Sequence, residues 1–206
     1  MSGIQGLTPI GRDMKEPVSG VRAWLALTKP GVVVLLQITA LCAVLSHDLL
    51  DPSEMDWLAT IETMLVVFVG GYLTAGGANA INMWYDRDID PIMARTSNRP
   101  IPSGAITANG ALIFGIFISI IGTYWFIVMA NTVAAFWAAF SILFYVLIYT
   151  IWLKRTSTQN IVIGGIAGAT PPVIGWAIAT NGIALEPIIL FLIIFIWTPS
   201  HFWALS

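Results

Sequence analysis

Charge is scarce in this chain. Of its 206 residues only 10% are Asp, Glu, Lys or Arg, 57% are hydrophobic, and the mean hydropathy is +0.84. That composition excludes a water-soluble globule, because one core could not hide so much apolar surface. Nothing marks a nucleic-acid partner, since the net charge is −2. Cysteine is nearly absent. Cys42, inside an apolar run, offers no disulfide framework and is expected to be a packed core thiol. No Walker-type or dinucleotide glycine pattern occurs, so the glycines cradle no phosphate. Residues 1–22 lack an apolar signal core and are not the Arg-rich, acid-poor stretch of a transit peptide. That favours a bacterial plasma (inner) membrane over an organelle.

What the chain has instead is long apolar runs. Six can cross ~30 Å of hydrocarbon: Trp24 to Ser46, Trp57 to Met83, Thr107 to Met129, Thr132 to Leu153, Ile161 to Thr180 and Leu185 to Ser206. The expected fold is an all-α, polytopic membrane helix bundle. The breaks between runs are short turns such as Asp51-Pro52-Ser53 and Asn181-Gly182, so 1–206 forms a single membrane-embedded domain. All nine Lys and Arg fall at the N-terminus or on even-numbered connections, whereas the odd-numbered ones carry Asp48, Asp51, Glu54, Asp56, Glu62 and Glu186. Retained basic residues therefore place segment 1–22 and the even connections in the cytoplasm. His47 ends the first span on the other side, where a solvated histidine is expected. The last span stops at Ser206 without a basic anchor, which suggests a truncated chain.

Polar chemistry concentrates between Asn79 and Gly104, NAINMWYDRDIDPIMARTSNRPIPSG. Asn82, Asp86 and Asp90 recur every fourth residue, so on a helix each is displaced only ~40° and ~6 Å from the last, forming one oxygen-rich ladder. Asp86, Asp88 and Asp90 repel one another, and the negative end of the helix dipole adds to that cost. Cations must be near, and a hard octahedral Mg2+ suits a site of one or two carboxylates completed by water and phosphate oxygens. Asp88 lies ~160° from Asp86 and is expected to face the loop. Asp90 precedes Pro91, so it can reach the metal from a turn. Arg95 and Arg99, with Lys154 and Arg155 of the next cytoplasmic connection, can fork onto phosphate from the other side. The plainer alternative is a set of solvated salt bridges in a positive loop. The amides Asn79 and Asn82 lie within the span, where polar side chains are expensive, and weigh against it by pointing the ladder into the bundle.

The run Asn82-x-x-x-Asp86-x-x-x-Asp90, continued as Arg95-Thr96-x-Asn98-Arg99-Pro100, resembles the first aspartate-rich motif of the UbiA superfamily of intramembrane aromatic prenyltransferases. Two further stretches agree: Tyr149 to Gly165 (YTIWLKRTSTQNIVIGG) and Trp197 to Ser206 (WTPSHFWALS), the latter a mark of the branch that works on heme. The resemblance implies nine spans around a central cavity, with a second aspartate-rich motif beyond Ser206. It also implies transfer of the farnesyl group of farnesyl diphosphate to a vinyl group of heme B, with water adding, for the hemes of terminal oxidases. Asp86 and Asp90 would then ligate Mg2+, with Asn82 orienting that set and Asn79 behind it or touching substrate. Arg95, Arg99 and Lys154 would hold the diphosphate, and Arg155 would join them or anchor a helix end. The lipid bilayer is a partner, and association with heme A synthase or terminal-oxidase assembly belongs to the same expectation.

His201 lies in an apolar span near the cytoplasmic end. A heme substrate makes axial ligation, propionate contact or proton transfer its candidate roles, against a plain hydrogen bond to a neighbouring helix. Glycine pairs at 70–71, 76–77 and 164–165 suggest close helix approach, and Pro171-Pro172 should interrupt the fifth span. Two other functions remain open: prenylation of a quinone or chlorophyll precursor, and a divalent-cation or proton-coupled transporter. Transporter sites usually lie near the midplane, whereas these acids cluster at one rim beside arginines.

Overall fold

Hydrocarbon supplies no water to pair backbone N–H and C=O groups, so each apolar run must close its own hydrogen bonds as a helix. The computed structural model describes residues 20–50, 52, 53 and 55–204. The expected N-terminal segment therefore lies, up to residue 19, outside the described residues. Six helical segments are long and apolar enough to cross a membrane: Pro30–Leu49, Trp57–Asp88, Ala108–Met129, Thr132–Thr156, Asn160–Thr180 and Leu185–Ala204. No strand occurs among the described residues. The chain is a multi-pass membrane helix bundle.

The first expected run, Trp24 to Ser46, is divided at Thr28-Lys29. Helix α1 (Val21–Leu27) ends before Thr28, and α2 (Pro30–Leu49) starts at a proline whose missing N–H costs nothing in a first turn. Between them Lys29 takes a left-handed φ of 51°, which strains a residue with a Cβ and turns the chain sharply into the bundle. α3 (Trp57–Tyr85) is capped by Asp56, whose side chain accepts from the Leu58 N–H, and gives way to a 3-10 turn at Asp86–Asp88. Thr107 caps α4 (Ala108–Met129) and Asn131 caps α5 (Thr132–Leu143) in the same way. α5 runs on through a π-helical stretch, Phe144–Leu153, into the short α6 (Lys154–Thr156). α7 (Asn160–Ala169) and α8 (Pro171–Thr180) are the two halves of the fifth span, separated at Pro171-Pro172 as expected. α9 (Leu185–Ala204) completes the described bundle.

Small residues set the helix spacing. A Cβ on Gly77 of α3 would lie 2.2 Å from Ser119 Oγ and 2.7 Å from the Gly115 carbonyl of α4, so these backbones meet with no room for a side chain. Gly175 of α8 does the same against α2, where a Cβ would fall 2.4 Å from the Ala40 carbonyl. Asn131 adds a polar tie, its Nδ2 donating to the Ala177 carbonyl at 2.8 Å. Large apolar side chains left outside the bundle, such as Phe117 and Ile120 of α4, face lipid rather than water.

Two expectations fail here. Cys42 is exposed, not packed in a core: α2 turns it toward the bilayer, where a thiol is as well solvated as an alkyl group. His47 is not simply solvated. Its Nδ1 lies 2.7 Å from Asp48 Oδ1, and its ring meets Trp176 edge-on at 5.1 Å between centroids.

Candidate functional site

The ladder exists, but it is bent. Asn79 and Asn82 sit on the last turns of α3, at 5% and 2% exposure, and the α-helix ends at Tyr85. Asp86 opens the 3-10 turn and is completely buried, while Asp90 follows at 2% exposure with its N–H bonded to the Asp86 carbonyl at 2.9 Å. Asp88 points outward as expected, its side chain 57% exposed.

Each carboxylate has its own cation. Lys154 Nζ donates to Asp86 Oδ2, and Arg99 Nη1 reaches both oxygens of Asp90 at 2.8 Å. Arg155 forks onto Asp88 at 2.7 and 2.8 Å, donates to the Tyr85 carbonyl and lies over the Tyr85 ring, so it fastens the π-helical span to the end of α3. The repulsion that seemed to demand a metal is thus largely answered by protein cations. Among the described residues no group of three His, Cys, Asp or Glu is placed to hold a metal ion. Arg95 is exposed and has no ion pair with a described residue, because the segment after Pro91 is not helical and the four-residue spacing to Arg99 does not align them.

Lys29 is the member that sequence spacing missed. The left-handed turn brings its ammonium 2.7 Å from Asn82 Oδ1, within the electrostatic reach of Asp86, Asp90, Arg99 and Lys154. Burial, reinforced by Arg99 and Lys154, pulls it down from 10.5 to about 7, against the opposing effect of the two aspartates. The one sequence clue was a lysine at a helix N-terminus, where the dipole disfavours positive charge. With Lys29 protonated, three cations (Lys29, Arg99, Lys154) face two carboxylates (Asp86, Asp90), so the pocket end receives anions.

The π-helix explains how Lys154 and two tyrosines share this site. Its i to i−5 register appears in Thr150, whose hydroxyl donates to the Tyr145 carbonyl at 2.8 Å and accepts from Asn82 Nδ2 at 3.2 Å. Tyr145 and Tyr149 stack at 5.3 Å, and the Tyr145 hydroxyl donates to Asn79 Oδ1 at 3.4 Å. Gly164 of α7 makes room for Tyr149: a Cβ there would lie 2.3 Å from its ring.

Beyond the ion cluster a cavity of about 570 Å³ enters the bundle, lined by Asn79, Tyr145, Tyr149, Gly168, Gln37 and His201 among mostly apolar neighbours. His201 stacks on Trp197 at 4.6 Å and has no hydrogen bond to a described residue. The charged residues do not line this cavity, but Asn79, one turn before Asn82, does; a cation-rich cluster next to an apolar cavity suits a ligand with an anionic head and a hydrocarbon tail. Residues 38–206 match the UbiA prenyltransferase family. The chain belongs to that family. Among relatives, it is 50% identical over 188 residues to a protoheme IX farnesyltransferase of Rhodopseudomonas palustris (strain BisB5), covering 91% of this chain and 58% of that protein. It is 53% identical over 180 residues to one of Pelagibacter ubique, covering 87% and 57%, and 46% identical over 202 residues to one of Symbiobacterium thermophilum, covering 95% and 63%. The chain thus spans about three fifths of the length of these UbiA relatives. A solved structure described as giving insights into digeranylgeranylglyceryl phosphate synthase shares the fold, with TM-score 0.70 and 24% identity over 85% of this chain and 58% of that one.

Fitness for the divalent metal of UbiA-type chemistry can be judged from one atom. Asp86 Oδ1 is buried and has no hydrogen-bond partner, a costly state for a carboxylate oxygen unless something else binds it. An orphaned hard oxygen in a cluster that also carries cations for phosphate fits a hard divalent ion that shares its shell with phosphate.

Proposed function

We propose that this chain acts as a heme farnesyltransferase that joins the farnesyl group of farnesyl diphosphate to a vinyl group of heme B, yielding heme O for terminal oxidases. The observation that carries the donor half is the buried Asp86, with its unpaired oxygen, in one cluster with Lys29, Arg99 and Lys154, which Asn79 connects to the apolar cavity that it lines with Tyr145 and Tyr149. The acceptor half is supported by the half-identity to proteins named protoheme IX farnesyltransferase.

In this reading Asp86 and Asp90 hold Mg2+ and Asn82 orients them, steadied by Lys29 and Thr150. The ion would supply hard positive charge to the phosphate oxygens. Lys29, Lys154 and Arg99 neutralise the diphosphate, Arg99 exchanging Asp90 for phosphate, so that the allylic C–O bond breaks with its electron pair leaving on oxygen. Arg95 reaches the diphosphate from the loop, and Arg155 acts mainly by clamping Asp88. The faces of Tyr145 and Tyr149 attract the developing allylic cation, and the apolar walls exclude stray water. The vinyl π pair then forms the new C–C bond, and water captures the resulting cation. His201 and Asn79, which both line the cavity, contact substrate.

The distribution of Lys and Arg supports a bacterial inner-membrane protein with its N-terminus and ion cluster on the cytoplasmic side, delivering product to heme A synthase or oxidase assembly. Membranes carrying the full-length protein, given heme B, farnesyl diphosphate and Mg2+, should form a more hydrophobic heme detectable by chromatography. Failure to form it would overturn the acceptor assignment.

A further inference from the structure

Deep in the cavity wall, far from the ion cluster, α2 carries a polar side chain that donor binding does not use. Gln37 is 5% exposed and lines the cavity. Its Nε2 donates to the Phe68 carbonyl of α3 at 2.8 Å, which fixes the amide orientation, and its Oε1 is buried with no partner. Gly71 faces this carboxamide: a Cβ there would lie 2.9 Å from Nε2 and 3.0 Å from Oε1, so a side chain at position 71 would evict it. An unpaired amide oxygen in hydrocarbon costs free energy, and the cavity is where a partner can arrive.

Chemistry narrows the partner. An amide oxygen only accepts, so the ligand must donate. A farnesyl chain has no donor. Heme B, with its pyrrole nitrogens on iron and its edge otherwise methyl and vinyl, can donate only through its propionic acid groups in their protonated form. Among the described residues no Lys or Arg lines this part of the cavity, so a carboxyl group brought here is held neutral by desolvation. Position 71 lies eight residues from Asn79 along α3, or ~12 Å, about the breadth of a porphyrin. A macrocycle with its reacting vinyl edge near Asn79 and Tyr149 therefore extends its opposite edge toward Gln37. Gly168 leaves room on another wall, since a Cβ there would meet nothing within 4 Å.

We infer that Gln37 is a specificity-determining residue for the acceptor, its Oε1 accepting a hydrogen bond from a neutral propionic acid of the heme. The inference rests on the heme reading above and adds which end of the macrocycle lies deepest.

The test compares heme B with its dimethyl ester, which has no O–H to donate. In the full-length protein at saturating farnesyl diphosphate, KM for each acceptor is measured and the ratio of ester to acid is taken. Gln37→Met, similar in size but without an acceptor, should reduce that ratio about tenfold and leave KM for farnesyl diphosphate unchanged. Gln37→Glu, which stays protonated in this setting and keeps an acceptor, should preserve the ratio. Gly71→Ala displaces the carboxamide without removing it and should reproduce the loss, which covers the case of a Gln37→Met protein that does not fold. An unchanged ratio in Gln37→Met or Gly71→Ala, as expected if Oε1 binds only water, overturns the inference. So does a rise in KM for farnesyl diphosphate in place of the acceptor. Absence of any heme product from the unaltered protein is a different result and removes the heme reading itself.

Discussion

Lys154 Nζ donates to one oxygen of the buried Asp86 and leaves the other without a partner. The pair joins the start of α6 to the 3-10 turn that follows α3, 68 residues apart in the chain. Asp86→Asn keeps the shape and a hydrogen-bonding oxygen but removes the charge. Turnover should fall at least about 100-fold, while membrane insertion, followed by protease protection, stays intact. Near-normal turnover would take Asp86 out of the reaction.

Lys29 is the cation that sequence spacing could not place. Lys29→Met should weaken binding of farnesyl diphosphate about tenfold, or about 1.4 kcal/mol, with the KM for heme changing little. Equal losses for both substrates would point to a folding defect in place of a diphosphate contact.

Metal dependence provides an independent check on Asp86 Oδ1. Titration with a non-hydrolysable farnesyl diphosphate analogue in the presence of a chelator should give at least about tenfold weaker binding than with Mg2+. In Asp86→Asn that difference should disappear. Identical affinities with and without Mg2+ in the unaltered protein would mean that Lys29, Arg99 and Lys154 alone hold the diphosphate.

Gly164 can be probed without touching any charge. In Gly164→Ala the new methyl meets Tyr149 at 2.3 Å, and the ring must move or the helices must part. Overpacking of this kind costs about 1–3 kcal/mol, so the melting temperature should drop and turnover with it. Gly168→Ala, entering open space, should leave the melting temperature unchanged.

The spans were legible in the sequence because length and hydropathy suffice in a bilayer, and so were the interruption at Pro171-Pro172 and the convergence of Asn82, Asp86 and Lys154. The rest depended on backbone turns that side-chain spacing does not reveal. Lys29 enters the site only because the chain adopts a left-handed conformation there. Arg95 and Arg99 part company because their segment is not helical, and Arg99 spends its guanidinium on Asp90. Cys42 lies in an apolar run whose sequence does not show which face meets the bundle, and lipid leaves an exposed thiol at little cost. Gln37 carries no spacing signal in the sequence, and only the packing of α2 on α3 leaves its oxygen without a partner.

The wide turn of Phe144–Leu153 makes residue count a control on chemistry. Deleting one residue there would let the segment relax toward ordinary α-helical winding and turn everything after it by about 100°. Lys154 would swing off Asp86 while Tyr145 kept its place. Insertions and deletions tolerated in any loop of this protein would, in these ten residues, disconnect the aromatic wall from the ammonium it accompanies.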